Sequence, residues 1–232
     1  MAKDYSPILS GPGENDYTRY MRTDTLLALQ RRPEEMLHRD ELLFQTVHQS
    51  TEIWLKLACF EVAGAIQVIA EDEDLEAAIE LLARASLAMV QITCQLEMLR
   101  HIAPSDFQIF RPALGNGSGF ESPGWRSVRH QSEQLNDVFM KLVADERTDV
   151  LSVYRGKQSA PLYRLAEAMV EWDERVSLWR ARHYKVAVRT IGHSSVGTKG
   201  TPVDHLGRLL NHKFFPELWK VRTDLTALSA TE

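Results

Sequence analysis

Residues 161–191 read PLYRLAEAMVEWDERVSLWRARHYKVAVRTI, and this stretch decides the fold class. Its apolar residues recur at steps of three and four, the period of an α-helix with one buried face. Pro161 suits a first helical turn and Gly192 suits a helix end. We therefore predict one long helix, whose apolar face comprises Leu162, Leu165, Met169, Trp172, Val176, Trp179, His183, Val186 and Thr190.

The rest of the chain repeats the helical period and contains no useful run of strand period. Helices are predicted from near Asp40, after the acidic segment EDEDLE (71–76), over about 128–143, and from Pro216. Glycine and proline concentrate in residues 103–124 and, with polar residues, in 192–204, which predicts two functional loops. The fold class is all-α: a helical bundle with an irregular N-terminal arm (1–16) and a single domain (17–232).

Composition excludes several classes of partner. The net charge of −5 gives no positive patch for nucleic acid. Cys59 and Cys94 lie in apolar helical stretches and are predicted to be buried thiols. Glu61 and Gln67 interrupt the longest apolar run, so no membrane partner is expected, and no signal peptide is recognisable at the N-terminus. A cytoplasmic protein is expected.

Two histidines occupy apolar helical faces. His183 follows Trp179 by one turn, and His48 follows Phe44 by one turn. On the helix pattern alone, the commoner explanation is a core histidine hydrogen-bonded to nearby groups. The functional alternative is that the two faces border one cavity, with haem held between helices by one axial histidine. Without a CxxCH motif such haem is non-covalent; zinc and serine-hydrolase chemistry lack HExxH, CxxC and GxSxG motifs.

The two loops supply polar candidates. Arg111 lies in FRPALGNGSGFES (110–122), where its guanidinium could bind a carboxylate through two bonds. Thr198 lies in GTKGT (197–201), where its hydroxyl and backbone N–H could bind an anionic or zwitterionic ligand. Taken singly, a surface arginine and a plain loop threonine explain them equally well or better.

Taken together and in order, these segments resemble the tryptophan 2,3-dioxygenase family over most of the chain. The combination is highly specific, although no single piece of it is. The matching segments are YTRYMRTDTLLALQ (17–30), HRDELLFQTVHQSTEIWLKL (38–57), DFQIFRPALGNGSGFES (106–122), WRARHYKVAVRTIG (179–192), GTKGT (197–201) and FFPELWKVRTDL (214–225).

The resemblance implies a role for each matching residue. His183 corresponds to the axial ligand of a non-covalent haem b that is ferrous in the active form. His48, the catalytic candidate, corresponds to the histidine on the other haem face, near the indole N–H of the substrate, where it would orient that group and modulate proton movement. Arg111 corresponds to the clamp on the substrate carboxylate, and Thr198 to a residue that helps to hold the substrate's amino-acid end.

The resemblance also implies an aromatic pocket and an oligomer. Phe44 matches an aromatic position lining the indole pocket, and Phe107 falls where the family carries Tyr or Phe. Tyr17, Tyr20 and Met21 match a pattern that the family contributes across a subunit interface, so the resemblance implies a homotetramer.

The activity implied is oxidative cleavage of the indole 2,3-bond of L-tryptophan by O2, giving N-formylkynurenine. Two loops depart from the family's GTGGSSG and SGFQS patterns, at Lys199, Pro202 and Glu121, and the chain is shorter than usual between about 144 and 161. The alternative is therefore a related haem monooxygenase that acts on tryptophan or a substituted tryptophan and gives an oxindole-type product. A third hypothesis, a non-catalytic haem-binding or sensing protein, is disfavoured because it needs neither Arg111 nor His48.

Overall fold

The computed structural model describes residues 6–71 and 74–229; residues 1–5 of the predicted N-terminal arm lie outside these ranges. In the described ranges there are ten α-helices and no strand, apart from one isolated bridge between Val196 and Pro202. The all-α prediction is confirmed. The helices are α1 (Asp16–Met21), α2 (Thr23–Leu27), α3 (Asp40–Glu71), α4 (Leu75–Leu99), α5 (Pro104–Phe110), α6 (Pro123–Asp145), α7 (Val150–Arg155), α8 (Pro161–Ile191), α9 (Asp204–Arg208) and α10 (Pro216–Ser229).

Local residues set the ends of the long helices. Pro161 opens α8, and Gly192 follows its last residue with a φ of 88°, a left-handed value that favours glycine. The predicted span of α8 is confirmed. Helix α6 starts at Pro123, earlier than the predicted 128, because the Ser122 hydroxyl accepts the N–H of Trp125 at 3.1 Å.

Four long helices form the core. Helix α4 packs along both α3 and α8, and α6 packs along α3. Burying one large apolar side chain contributes about 1.5–3 kcal/mol, so this core supplies most of the driving force for folding. Its fully buried large side chains include Leu55, Leu82, Met89, Leu135, Phe139, Leu165, Met169 and Trp172.

A second, smaller apolar cluster lies apart from the main core. It joins α3, α4, α5 and α8 through Val47, Leu96, Leu99, Phe107, Phe110 and Val186, with Ile102 from the connection after α4. This smaller cluster forms part of the lining of the candidate site described below.

The C-terminal segment is fixed to α8 by a buried carboxylate. Asp173 is fully buried, and its Oδ2 atom accepts the backbone N–H of Phe214 at 2.9 Å and the Nε1–H of Trp219 at 2.8 Å. Because a buried carboxylate is costly without donors, these bonds hold α10 in one position against α8.

Three sequence predictions need correction. The stretch 103–124 is not wholly irregular, because Pro104 opens the seven-residue helix α5. Cys59 is buried, but Cys94 is exposed because it lies on the outer face of α4. Glu61, which is buried and pairs with Arg84 at 2.8 Å, does not keep α3 below the length and hydropathy of a membrane-spanning helix.

By length and composition alone, α3 and α4 could cross a membrane. This differs from the expectation based on Glu61 and Gln67. Both helices line the bundle core, and core helices commonly satisfy the same criterion. The criterion is therefore weak evidence for a membrane segment here.

Candidate active site

A cavity of about 670 Å³ lies among α3, α4, α5, α6 and α8, next to the segments 111–122 and 197–206. This volume is typical of a site for a small molecule or cofactor. Most of its surface is apolar. Six of the nine predicted site residues line it: Phe44, His48, Phe107, Arg111, His183 and Thr198.

His183 projects from α8 and has an unusual environment for an imidazole. Its ring stacks on that of Trp179, with centroids 4.8 Å apart and planes within 7°. No hydrogen bond to its ring nitrogens occurs in residues 6–71 and 74–229. Burial lowers the pKa of His183 to about 4, and a positive charge on His48 lowers it further in the same direction. The ring is therefore neutral at physiological pH and keeps a lone pair, which is the form that binds a metal.

His48 projects from α3 into the same cavity. Its Nδ1 atom lies 2.7 Å from the carbonyl oxygen of Phe44, and the two rings stack at 4.1 Å. Because a carbonyl only accepts, Nδ1 is assigned the proton and Nε2 remains an acceptor in the neutral ring. Burial lowers the pKa of His48, against smaller opposing effects of the Phe44 carbonyl and Glu52. The cavity therefore contains a neutral hydrogen-bond acceptor.

Phe44, whose ring stacks on His48, belongs to a cluster of three phenylalanine rings. The Phe44 ring centroid lies 5.9 Å from that of Phe107 and 5.8 Å from that of Phe110, and the latter two are 5.2 Å apart. Phe110, which sequence reasoning did not single out, is fully buried and packs against both rings without lining the cavity. Edge and tilted contacts of this kind suit a flat aromatic ligand.

Arg111 and Thr198 contact the opposite loop. The Arg111 guanidinium donates to the carbonyl of Val196 at 2.6 Å. The Thr198 hydroxyl donates to the carbonyl of Gly117. The two loops that were predicted separately therefore meet at the cavity, and both polar candidates lie where they join.

Two of the residues that depart from the family pattern contact each other. The Lys199 ammonium pairs with the Glu121 carboxylate, and this pairing holds the pKa of Glu121 below its usual range. Lys199 also lines the cavity. A pair this exposed contributes little to stability, so its importance lies in the shape and charge of the cavity entrance.

Tyr17, Tyr20 and Met21 do not line the cavity within one chain. They are 66%, 75% and 51% exposed, respectively. Helices α1 and α2 contain no buried residue at all. The structure therefore leaves these three predicted residues separate from the other six.

Sequence reasoning missed a chain of contacts that supports the site. The Glu52 carboxylate accepts the Ser122 hydroxyl at 2.5 Å and the Gly124 N–H at 3.0 Å. This fixes the start of α6, where the Trp125 ring lies 3.9 Å from the ring of Trp179, the residue stacked on His183. Only tertiary structure brings these residues together, since they lie far apart in sequence.

Three arginines were also missed. Arg126 and Arg129 of α6 and Arg180 of α8 line the cavity. In the sequence they look like ordinary charges on the polar faces of helices, which usually contact solvent. Arg180 donates to the carbonyl of His212 at 3.1 Å.

Haem fits the residues that are present. It requires a neutral imidazole, an enclosed apolar space and groups that neutralise its carboxylates. His183 has no competing hydrogen bond, the cavity surface is largely apolar, and arginines face it. The cavity thus offers a donor set suited to this cofactor.

A second group of possible metal ligands has a simpler explanation. His38, Asp40 and Asp106 each place one ligand atom within 4.8 Å of the others. Asp40 and Asp106 lie in the first turns of α3 and α5, whose positive ends attract carboxylates and repel cations. The Asp40 N–H donates to Nδ1 of His38 at 3.2 Å. We assign these residues to helix termini.

A helical bundle that encloses a cavity with histidines on two of its helices has the architecture of helical cofactor-binding proteins. The sequence profile described as tryptophan 2,3-dioxygenase matches residues 8–148. The tryptophan 2,3-dioxygenase of Bradyrhizobium sp. (strain BTAi1) is 34% identical over 278 residues, covering 95% of this chain and 98% of that protein. The protein of that name from Bacillus thuringiensis (strain Al Hakam) is 32% identical over 261 residues, covering 90% and 92%.

The chain belongs to the tryptophan 2,3-dioxygenase family. It is accordingly an enzyme, a haem-dependent oxidoreductase of the type that this family defines.

Proposed function

We propose that this enzyme cleaves the indole 2,3-bond of L-tryptophan with O2 and releases N-formylkynurenine. One observation carries the proposal: His48, His183, Arg111 and Thr198, from four separate parts of the chain, line a single cavity. Family membership supplies the reaction class. A non-covalent haem b, ferrous in the active form, would supply the activation of O2 when bound.

His183 is the proposed axial ligand. Its low pKa keeps the ring neutral, and its nitrogens are not engaged by any hydrogen bond in the described residues. Stacking on Trp179 restrains rotation of the ring. A restrained ligand loses less entropy when it binds iron. Replacing His183 with Ala should abolish the Soret band or change its position; an unaltered spectrum would remove this assignment.

His48 and the phenylalanines are proposed to orient the indole. With Nδ1 donating to the Phe44 carbonyl, Nε2 can accept the indole N–H. Phe44 and Phe107 would contact the faces or edges of the indole ring. Fixing the ring in this way holds its reacting carbons at a short distance from the oxidant. We assign His48 an orienting role and no obligatory proton transfer.

Arg111 and Thr198 are proposed to bind the amino-acid end of the substrate. In the ligand-free chain their donors are bonded to the carbonyls of Val196 and Gly117. A carboxylate is a stronger acceptor than a backbone carbonyl, so substrate would displace at least part of these bonds. The exchange would couple substrate binding to the arrangement of the two loops.

A second candidate function has one observation in its favour. Lys199 lines the cavity next to Thr198, at a position where the family pattern has glycine, and its ammonium is paired with the Glu121 carboxylate. A bulkier, ion-paired side chain at this position favours a substrate whose polar end differs from that of free tryptophan, as expected for a haem monooxygenase acting on a substituted tryptophan. Such an enzyme would insert one atom of O2 to give an oxindole-type product, and would require a two-electron reductant to convert the other oxygen atom to water.

Isotopic labelling separates the two functions. Haem-loaded, reduced enzyme is mixed anaerobically with L-tryptophan and an excess of a two-electron reductant and is then exposed to isotopically labelled O2. The product is analysed by mass spectrometry. Two labelled oxygen atoms in N-formylkynurenine are expected. A product with one labelled oxygen atom would contradict the dioxygenase proposal and support the monooxygenase. A chain that binds no haem would overturn both functions.

We also propose that the working enzyme is a cytoplasmic homotetramer with a single domain over 17–232 and an N-terminal arm. The exposure of Tyr17, Tyr20 and Met21 supports this, because apolar surface on two small helices is costly in water. In a tetramer these residues would reach the site of a neighbouring subunit. Light scattering tests the assembly state, and a monomer at micromolar concentration would contradict it.

A further inference from the structure

Two arginines from different helices border the cavity. Arg129 lies on α6 and Arg180 on α8, and both line the cavity. Within residues 6–71 and 74–229, neither forms an ion pair. Other arginines of α8 do so: Arg164 with Glu76 and Arg175 with Glu171, each at 2.6 Å. We call Arg129 and Arg180 the arginine pair.

Two carboxylates act on this part of the cavity, but neither forms an ion pair with the arginines in the described residues. Asp173 is fully buried; its Oδ2 atom accepts the N–H groups of Phe214 and Trp219, and its Oδ1 atom has no hydrogen-bond partner in the described ranges. Glu133 follows Arg129 by four residues, but forms no ion pair in the part of the chain that the structure describes. The guanidinium of Arg180 lies over the Phe214 ring, 4.9 Å from its centroid. A carbonyl and an aromatic face leave most of its charge unneutralised.

The electrostatics of Arg180 agree with the geometry. Burial lowers the pKa of its guanidinium, Asp173 raises it, and the nearby Arg129 lowers it. The attraction of Asp173 exceeds the repulsion of Arg129, but Arg129 brings a second positive charge to the cavity, so an anion bound there would be stabilised by both guanidinium groups. The neighbouring residue Trp179 adds a buried Nε1–H that has no acceptor among the described residues. This part of the cavity thus offers an unpaired N–H donor and, from Arg129 and Arg180, positive charge that no ion pair in the described residues neutralises.

We infer that the arginine pair binds the two carboxylates of the haem proposed above. This inference rests on the proposed function. Arg180 precedes His183 by three residues, so both side chains leave the same face of α8. A planar cofactor bound at His183 therefore has the Arg180 guanidinium within one helical turn. The substrate has a single carboxylate, for which Arg111 is the candidate on the opposite loop.

The rate of haem release tests the interaction between the arginine pair and the haem carboxylates independently of catalytic activity. Ferric haem-loaded protein is mixed with excess apomyoglobin, and transfer is followed at the Soret band. We expect Arg129→Gln and Arg180→Gln each to release haem about tenfold faster than wild type, since a hydrogen bond to a charged group is lost. Arg189→Gln is the matched control, because Arg189 is an exposed arginine of α8 that does not line the cavity. Its release rate should equal that of wild type.

The dimethyl ester of haem b provides a test that needs no variant. Wild type should release the ester much faster than free-acid haem, by about a hundredfold if both carboxylates are held, since each lost charged bond is worth about tenfold. The Arg129→Gln, Arg180→Gln double variant should release both cofactors at similar rates. Equal release of acid and ester from wild type would overturn the inference.

The outcomes keep this inference separate from the proposed function. A wild-type chain that never acquires a Soret band contradicts both. Normal haem loading with unchanged release from the variants contradicts only the arginine pair. Weaker tryptophan binding with unchanged haem release would assign the pair to the substrate, and would equally overturn the inference.

Discussion

Replacing Glu52 should destabilise the protein more than replacing any exposed glutamate. Its carboxylate accepts two bonds from the start of α6, at 2.5 Å from Ser122 and 3.0 Å from Gly124. A hydrogen bond to a charged group contributes about 1.5–3 kcal/mol when well shielded, and Glu52 is half-buried. The charge also interacts with the positive end of a long helix, which adds about 0.5 kcal/mol.

Taking the lower end of these values, Glu52→Ala should reduce the free energy of unfolding by about 3.5 kcal/mol. Glu52→Gln keeps one acceptor oxygen and should cost about 1–2 kcal/mol. Urea unfolding followed by circular dichroism gives both values, provided that the slope with urea is unchanged. Glu80→Gln, on the exposed face of α4, is the control and should stay within about 0.5 kcal/mol of wild type. If Glu52→Ala costs no more than this control, the reasoning is wrong.

Three further predictions concern the site and the thiols. Arg111→Leu should weaken tryptophan binding by about ten- to a hundredfold and leave the Soret band unchanged, because one charged carboxylate contact is lost; calorimetry that finds equal affinity would exclude Arg111 as the clamp. Burial lowers the pKa of His48, so tryptophan affinity should stay constant as pH falls from about 8 to about 6.5. The affinity should drop only at more acidic pH, where protonated Nε2 no longer accepts the indole N–H. A loss of affinity centred at or above about pH 6.5 would contradict this. Cys94 is exposed, whereas burial raises the pKa of Cys59 to about 11. A thiol reagent should therefore label Cys94 rapidly and Cys59 only after unfolding. Rapid labelling of both cysteines would refute the burial of Cys59.

Helices could be predicted from the sequence where local residues set their ends. Pro161 and Gly192 bracket α8, and the acidic start at Asp40 opens α3, so both helices follow from chemistry within a few residues. Helix α5 was missed because seven residues contain too few turns for a period to be recognised. The exposure of Cys94 was missed because helix period alone does not show how wide the buried face of α4 is.

The candidate site was predictable only in part, for a different reason. His48 and His183 stand out because polar rings on apolar faces need an explanation. Arg129 and Arg180 do not stand out, because a charge on a polar face looks solvent-exposed until the neighbouring helix is in place. The bond from Arg111 to Val196 joins residues 85 positions apart, and no local pattern encodes such a contact.

The junction of the two loops has a consequence for how the enzyme can change. It rests on a few partly exposed side-chain contacts, whereas α3, α4 and α8 share an extensive buried core. Hydrogen exchange should therefore reveal local opening of the loops at a much lower free energy than opening of the bundle. Mutations at Lys199 or Glu121 then act on the loops with little cost to folding. New substrate preferences can arise at the cavity entrance while the helices that hold the proposed iron ligand stay fixed.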